Sequence, residues 1–417
     1  MSGRHAVNPF AHRLGAPGPI ESAYQPVVEF GSGALVGFEA LVRPAAGSVW
    51  ASPGEMFAAA ARCDATIDFD WQCRVSALTG ALVGNLPREL ALFVNAEPRA
   101  LDAPPPAYAR PVLADAARLS IVVEITERHL MKNPAGLLRA ALHARDRGWR
   151  IAVDDVGADS SSLAMLALLR PDIIKLDMRL VHQRTTAETA AILSAVAAES
   201  ERTGAVIVAE GIENETHERR AQYLGARWGQ GWFYGPPAAL PKFEAVDRLP
   251  VRQLAAPAMT VRAPTAVTPF GLDQSRGAVK SIDESLLETL EDDLLDRAAS
   301  MGPTAVVLVT VPYSTIPSAA RHAAFARLST VSALTVVFGR PMEAVVSYRT
   351  VDVDVQEPLA LERSVIVVDP LFNAALIALD LGENPDGLRT YRYRLTFDRD
   401  QVLDAATLLM HSIPQEL

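Results

Sequence analysis

From Tyr24 onward the chain alternates short apolar runs with amphipathic stretches, and this rhythm constrains its fold more than any other feature. The runs YQPVVEF, ALVGFEAL, ELALFVN, LSIVVEI, WRIAVDD, DIIKLD and AVIVAE have the length and β-branched content of strands. Their unbroken hydrophobicity suits a sheet covered on both faces. Between most of them lie helical segments such as PAGLLRAALHARDRG, SSLAMLALL, TAETAAILSAVAAESERTG and NETHERRAQYLG. Alternation sustained over about 200 residues predicts a parallel α/β fold.

An open doubly wound sheet that binds nucleotides carries a Gly-rich phosphate loop after its first strand, and this chain shows none there. Polar residues recurring at strand ends favour a TIM-like (β/α)8 barrel instead. The first two runs are joined by Gly31-Ser32-Gly33 and read as a hairpin, so the first strand is expected to be antiparallel to its neighbour. The barrel is assigned to residues 20–250, behind a Gly/Pro/Ala-rich tail over 1–19.

Residues 251–281 collect Pro, Ala and Thr without a period and read as a semi-rigid linker. The remaining stretch, 282–417, opens with the acidic amphipathic helix DESLLETLEDDLLDRAASMG. It continues through TAVVLVTV, SALTVVFG, RSVIVVD and TYRYRLTF as strands and closes with DRDQVLDAATLLMHS as a helix. That pattern is a smaller mixed α/β (α+β) domain, and a chain of 417 residues has room for both. The alternating Arg389, Arg392 and Arg394 read as the solvated face of an edge strand. Together with His322, His411 and Tyr313 they make no recognisable catalytic arrangement, although they leave room for a rival in which this half carries the activity.

Apolar residues at 49% and charged residues at 21% describe a folded chain, and a net charge of −10 lacks the basic footprint of a polynucleotide binder. Cys63 and Cys73 fall in helical segments and read as buried thiols of a reducing compartment. The N-terminal residues lack an apolar signal region, and no stretch approaches the ~18 apolar residues of a membrane span. The expected location is the cytoplasm, with no membrane partner.

The chemistry sits where the strands end. Glu39, Asn95, Glu124, Asp154, Asp155, Lys175, Glu210 and Gln230 each close or follow a run, and in a parallel barrel those ends share one rim. Carboxylates gathered there would repel by about 4 kcal/mol per close pair at 4 Å and an effective dielectric of 20, so a cation is required between them. Oxygen ligands without His or Cys suit Mg²⁺ or Mn²⁺ rather than Zn²⁺, and the adjacent Asp154 and Asp155 suit a two-metal centre.

GFEALVRP, followed in order by FVN, EITE, DDVG, KLD, AEGIE and QGWFYGPP and preceded by YQPV, resembles the EAL family of cyclic di-GMP phosphodiesterases over residues 24–237. The resemblance implies hydrolysis to linear 5′-pGpG with two Mg²⁺ or Mn²⁺ ions per site, and a homodimer. It implies that Glu39, Asn95, Glu124 and Asp154 hold the first ion, and that Asp154, Asp155 and Glu210 hold the second. Lys175 matches the lysine that orients the attacking water, with Glu210 as the alternative general base. Gln25, Arg43, Asp177, Glu213 and Gln230 match substrate-holding or supporting positions, and Glu127 matches the residue that braces the loop after the paired aspartates. That loop reads DDVGADSSSL where the family usually has DDFGTGYSSL, so Val156, Asp159 and Ser160 replace Phe, Gly and Tyr; Arg128 stands where a small Ser is common. The departure keeps open a silent domain that binds cyclic di-GMP as a receptor. The segments LERSVIVVDPLFNAALIALD and YRYRLTFDRDQVLDAATLL resemble DICT sensory domains, which implies a regulatory module with an unidentified ligand.

Overall fold

The computed structural model describes residues 20–126, 133–158, 163–183, 186–243, 266–272, 279–341, 346–385 and 387–414. Its first half is a closed eight-stranded barrel. β1 (Ile20–Glu29) and β2 (Leu35–Pro44) form the expected antiparallel hairpin. β3 (Ala91–Asn95), β4 (Ser120–Thr126), β5 (Arg150–Val156), β6 (Ile173–Leu176), β7 (Val206–Ala209) and β8 (Trp228–Gln230) continue in parallel from β2. β1 closes the ring by pairing antiparallel with β8.

The outer helices follow the strands. α1 (Pro53–Arg62) and α2 (Thr66–Val83) come after β2, then α3 (Pro98–Asp102) and α4 (Arg110–Asp115) after β3. α5 (Pro134–Asp146), α6 (Leu163–Leu169), α7 (Met178–His182), α8 (Ala187–Thr203) and α9 (Glu215–Tyr223) follow the later strands. Side chains of Ser52, Asn133, Asp177, Thr186 and Asn214 accept from first-turn N–H groups and set where five of these helices begin.

Val27, Val36, Ala91, Phe93, Val122, Ala152, Ile173, Val208 and Trp228 fill the barrel interior as one apolar cluster. Gly37 is needed in this packing, because a Cβ there would stand 2.1 Å from the Ala91 carbonyl oxygen. Strand side chains alternate between faces, so a residue two places beyond an interior one points inward as well.

The second half is a seven-stranded sheet built from β9 (Lys280–Asp283), β10 (Val306–Thr310), β11 (Leu334–Gly339), β12 (Arg349–Asp352), β13 (Glu362–Val368), β14 (Asn373–Glu383) and β15 (Arg389–Thr396). Its order is β12-β11-β10-β13-β14-β15-β9. α10 (Glu284–Met301) and α11 (Ala319–Val331) cover one face, packing Leu287, Leu294 and Phe325 on Val307, Val365 and Leu376. The alternate residues Leu308, Ile366 and Ile377 face the other way, toward α12 (Arg399–His411).

TYRYRLTF is not an edge strand. β15 lies between β14 and β9, because residues 280–283 pair along its outer side. Arg394 is accordingly buried and Arg389 pairs with Asp380, leaving Arg392 exposed beside the Phe270 ring. β14 forms from NAALIALDLGE, an Ala- and Leu-rich run with little β-branched content to mark it as a strand. Within the stretch expected to be a linker, residues 269–271 form a 3-10 turn with Phe270 buried, and the Phe270 N–H donates to Glu362 at 3.2 and 3.1 Å.

α12 rests on α5 and α6 as well as on the second sheet. Leu137, Leu138 and Ala141 of α5 therefore share one continuous apolar cluster with Val402, Leu403 and Leu409. Around it Arg170 pairs with Asp400 at 2.9 Å, Arg202 donates to the Pro370 carbonyl at 2.6 Å, and Arg399 pairs with buried Glu199. Among the described residues no helix is long and apolar enough to cross a membrane, and Cys63 and Cys73 are half-buried rather than buried and form no disulfide.

Candidate active site

The alternation that fills the barrel also builds its mouth. Phe93, Val122, Ala152, Ile173, Val208 and Trp228 belong to the interior cluster, and two residues beyond them stand Asn95, Glu124, Asp154, Lys175, Glu210 and Gln230. β1 runs the other way, so its contribution, Gln25, lies two residues before interior Val27. Glu39 pairs in register with Gln25 on one side and Phe93 on the other.

Lys175 Nζ lies at the centre, 2.7 Å from Glu124 Oε1, 2.7 Å from Glu210 Oε1, 3.0 Å from Asp154 Oδ1 and 3.3 Å from Glu39 Oε2. Gln230 Nε2 donates to Glu39 Oε2 at 2.6 Å and to Gln25 Oε1 at 3.1 Å, and Asn95 Nδ2 donates to Glu39 Oε1 at 3.1 Å. Gln25 in turn donates to the Gly235 carbonyl at 3.2 Å.

Adjacent strand residues ordinarily point to opposite faces. Asp155 escapes this by adopting φ +57° at an irregularity in the pairing of β5 with β6. One carboxylate oxygen each from Asp154, Asp155 and Glu210 consequently lie within 4.8 Å of one another. A left-handed backbone at a non-glycine residue costs about 1–3 kcal/mol and persists only where the surroundings impose it.

One ammonium cannot hold so many carboxylates charged. Burial pushes Glu124 well above the usual carboxylate range, and nearby Glu39 and Asp154 add to the push. Burial likewise takes Glu210 up to about 8 despite Lys175. For Glu39, burial acts upward but is outweighed by Lys175 and by the hydrogen bonds from Gln230 and its neighbours, so its pKa is lowered. Lys175 is raised, since the surrounding carboxylates more than reverse the effect of burial.

These residues fit divalent cations. Glu39, Glu124, Asp154, Asp155 and Glu210 against Lys175 make five negative charges and one positive, a formal −4 that two divalent ions would cancel. Both oxygens of buried Glu124 and Oδ1 of Asp154 accept no well-directed hydrogen bond, although Lys175 is close. Oxygen donors left in this condition suit a hard cation.

The other expected residues are dispersed. Arg43 donates to the Val42 carbonyl and, with Asn95, Phe57 and Thr126, lines a cavity of about 530 Å³ beside the cluster. Asp177 caps α7 and pairs with Arg179 at 2.9 Å, while Glu213 is exposed beyond the end of β7. Glu127, Asp159 and Ser160 lie outside the described residues. The sequence offered no sign of the buried Asp70–Arg74 pair at 2.5 Å on the cavity wall, although the i,i+4 spacing allows it.

The family model of the EAL domain matches residues 16–237, just over half of the chain. The chain belongs to the EAL-domain family. Its EAL domain is 30% identical over 226 residues to the cyclic di-GMP phosphodiesterase RocR of Pseudomonas aeruginosa, an alignment spanning 53% of this chain and 58% of RocR. It is 29% identical over 240 residues to the cyclic di-GMP phosphodiesterase PA2567 of the same organism, covering 54% of this chain and 39% of that one. Among solved structures it is similar to Klebsiella pneumoniae BlrP1 in a manganese and cyclic di-GMP complex, with 30% identity, a TM-score of 0.47, and 54% and 59% of the two chains covered. The chain thus spans less than two thirds of the length of these curated relatives.

Proposed function

We propose that the EAL barrel hydrolyses cyclic di-GMP to linear 5′-pGpG with Mg²⁺ or Mn²⁺. The observation that carries this reading is the convergence of four carboxylates on Lys175 at one mouth of the barrel, with a fifth, Asp155, turned to join Asp154 and Glu210. Relatives named as phosphodiesterases for this substrate support the same chemistry.

Glu39, Asn95, Glu124 and Asp154 would hold one ion, and Asp154, Asp155 and Glu210 the other. Asn95 would turn its amide to present the carbonyl oxygen. Bound there, the ions would polarise the phosphodiester, lower the pKa of a water and stabilise the leaving 3′ oxygen. Lys175, anchored by four carboxylates, would orient the attacking water, with Glu210 as the alternative general base that takes its proton. Gln230 fixes Glu39 and Gln25 in one chain of hydrogen bonds, which keeps the floor of the site rigid. Arg43, on the wall of the adjoining cavity, supplies a positive group for a phosphate, with Asp177 and Glu213 in supporting roles.

We further propose that the chain divides into the barrel over 20–250, a connecting stretch over 251–281 and a DICT-like sensory module over 282–417 that tunes turnover in a cytoplasmic homodimer. The docking of α12 on α5 and α6 supports this, because those helices follow the strands that carry Glu124 and Asp154–Asp155. The test is chromatography of cyclic di-GMP incubated with the full chain and each metal, beside Glu39→Ala. Product from the wild type and none from the variant is expected. Binding measured by calorimetry without product would favour a receptor instead.

A further inference from the structure

We propose that His182, Glu213 and His217 form a binding site for a divalent transition-metal ion of the Zn²⁺ class, distinct from the carboxylate cluster at the barrel mouth. One ring nitrogen from each histidine and one carboxylate oxygen of Glu213 lie within 4.8 Å of one another. Two imidazoles and a carboxylate are a donor set that suits Zn²⁺, Ni²⁺ or Co²⁺ rather than Mg²⁺. Three protein donors leave a coordination position for water.

The surrounding groups hold the donors ready. His182 Nε2 lies 2.7 Å from the Gly211 carbonyl oxygen, which can only accept, so the proton is on Nε2 and the lone pair is on Nδ1. A ring N–H donated to a backbone carbonyl is the usual device for orienting a metal-bound histidine. Gly211 permits the close approach, since its φ is +67° and a Cβ there would stand 2.6 Å from Met178 Cβ and 3.3 Å from His182 Nε2. The two imidazole rings face one another with centroids 4.2 Å apart and planes inclined by 33°. His217 Nδ1 receives the Glu213 N–H at 3.4 Å, a long contact that leaves its lone pair open to a stronger partner.

The elements explain why the three meet. His182 ends α7, Glu213 precedes the Asn214 cap of α9, and His217 lies four residues on, in the first turn. Arg220 of α9 also donates to the Gln183 carbonyl, so the two helices are already tied beside the site. An ion held here would cross-link α7 to α9 over the segment 210–214, which starts at Glu210 of the active site. The site shares Glu213 with the supporting roles proposed above, but it rests on the geometry of its own three donors.

The experiment is equilibrium dialysis of the full chain against Zn²⁺ in excess Mg²⁺, with any Zn²⁺ held by the carboxylate cluster common to wild type and variants. Wild type should retain one more Zn²⁺ per chain than His182→Ala, Glu213→Gln or His217→Ala. Co²⁺ in place of Zn²⁺ should give the intense visible bands of a low-coordinate, nitrogen-ligated ion in wild type and lose them in each variant. The near-isosteric His217→Gln, at a half-buried position, guards against a folding defect, and its Mg²⁺-bound melting temperature should match wild type. Equal Zn²⁺ retention by wild type and variants, or Co²⁺ bands unchanged by them, would overturn the proposal.

Discussion

Asp154 and Asp155 are neighbours in one strand, yet their carboxylates gather with Glu210 at the same mouth of the barrel, because Asp155 takes a left-handed backbone at φ +57°. The positive φ is therefore tied to the gathering of these three carboxylates, which a regular strand would not allow. Asp155→Asn keeps a residue that tolerates this conformation and removes the charge. Turnover should fall by about 100-fold or more, on the scale of losing one charge-stabilising group. Steady-state kinetics with Mn²⁺, alongside a melting temperature that stays near wild type, checks it.

Lys175 is the internal counterion of the cluster when no metal is bound. Removing one partner of a buried charged set costs about 3–5 kcal/mol. Lys175→Met should therefore lose stability of that order in urea titrations with chelator present, and much less with Mg²⁺ or Mn²⁺ added. An equal loss in both conditions would count against a cation-binding role for the carboxylates.

Glu362 supplies a pH test away from the cluster. Burial raises it to about 7, against hydrogen bonds from Thr268 and Phe270 and the charge of Arg394. A raised carboxyl stabilises the fold fully below its unfolded value near 4.5, and that stability is lost as pH climbs through the folded value. Wild type should lose about 3 kcal/mol relative to Glu362→Gln between pH 4.5 and 7, at 1.36 kcal/mol per unit. Chemical denaturation of both proteins across this window gives the difference directly.

α12 shares one apolar cluster with α5, so the two sheets should not unfold independently. Leu409→Ala removes buried side-chain volume and should cost about 2–5 kcal/mol. Calorimetry should show the barrel transition moving with that of the second sheet. Two transitions, with the barrel's unchanged, would argue that the contact is incidental.

Much of the barrel is legible in the sequence because burial on both faces leaves its parallel strands as unbroken apolar runs, and site residues such as Asn95, Glu124 and Lys175 follow from where those runs stop. Direction and backbone conformation are harder to read. Gln25 reaches the site only because β1 is reversed, and Asp155 only because of its positive φ. In the second half, β15 looked like an edge because the strand that covers it, KSID, is four residues long and mostly polar. His182 and His217 lie 35 residues apart, and only the packing of α7 on α9 brings their rings together.

The most direct test of the account is the fate of cyclic di-GMP incubated with the full chain in H₂¹⁸O, with Mn²⁺ or with chelator, followed by mass spectrometry. The account predicts linear 5′-pGpG carrying one ¹⁸O on its phosphate with metal, and unreacted nucleotide with chelator. Intact cyclic dinucleotide in Mn²⁺ and in Mg²⁺ alike, or equal product in chelator, would contradict it.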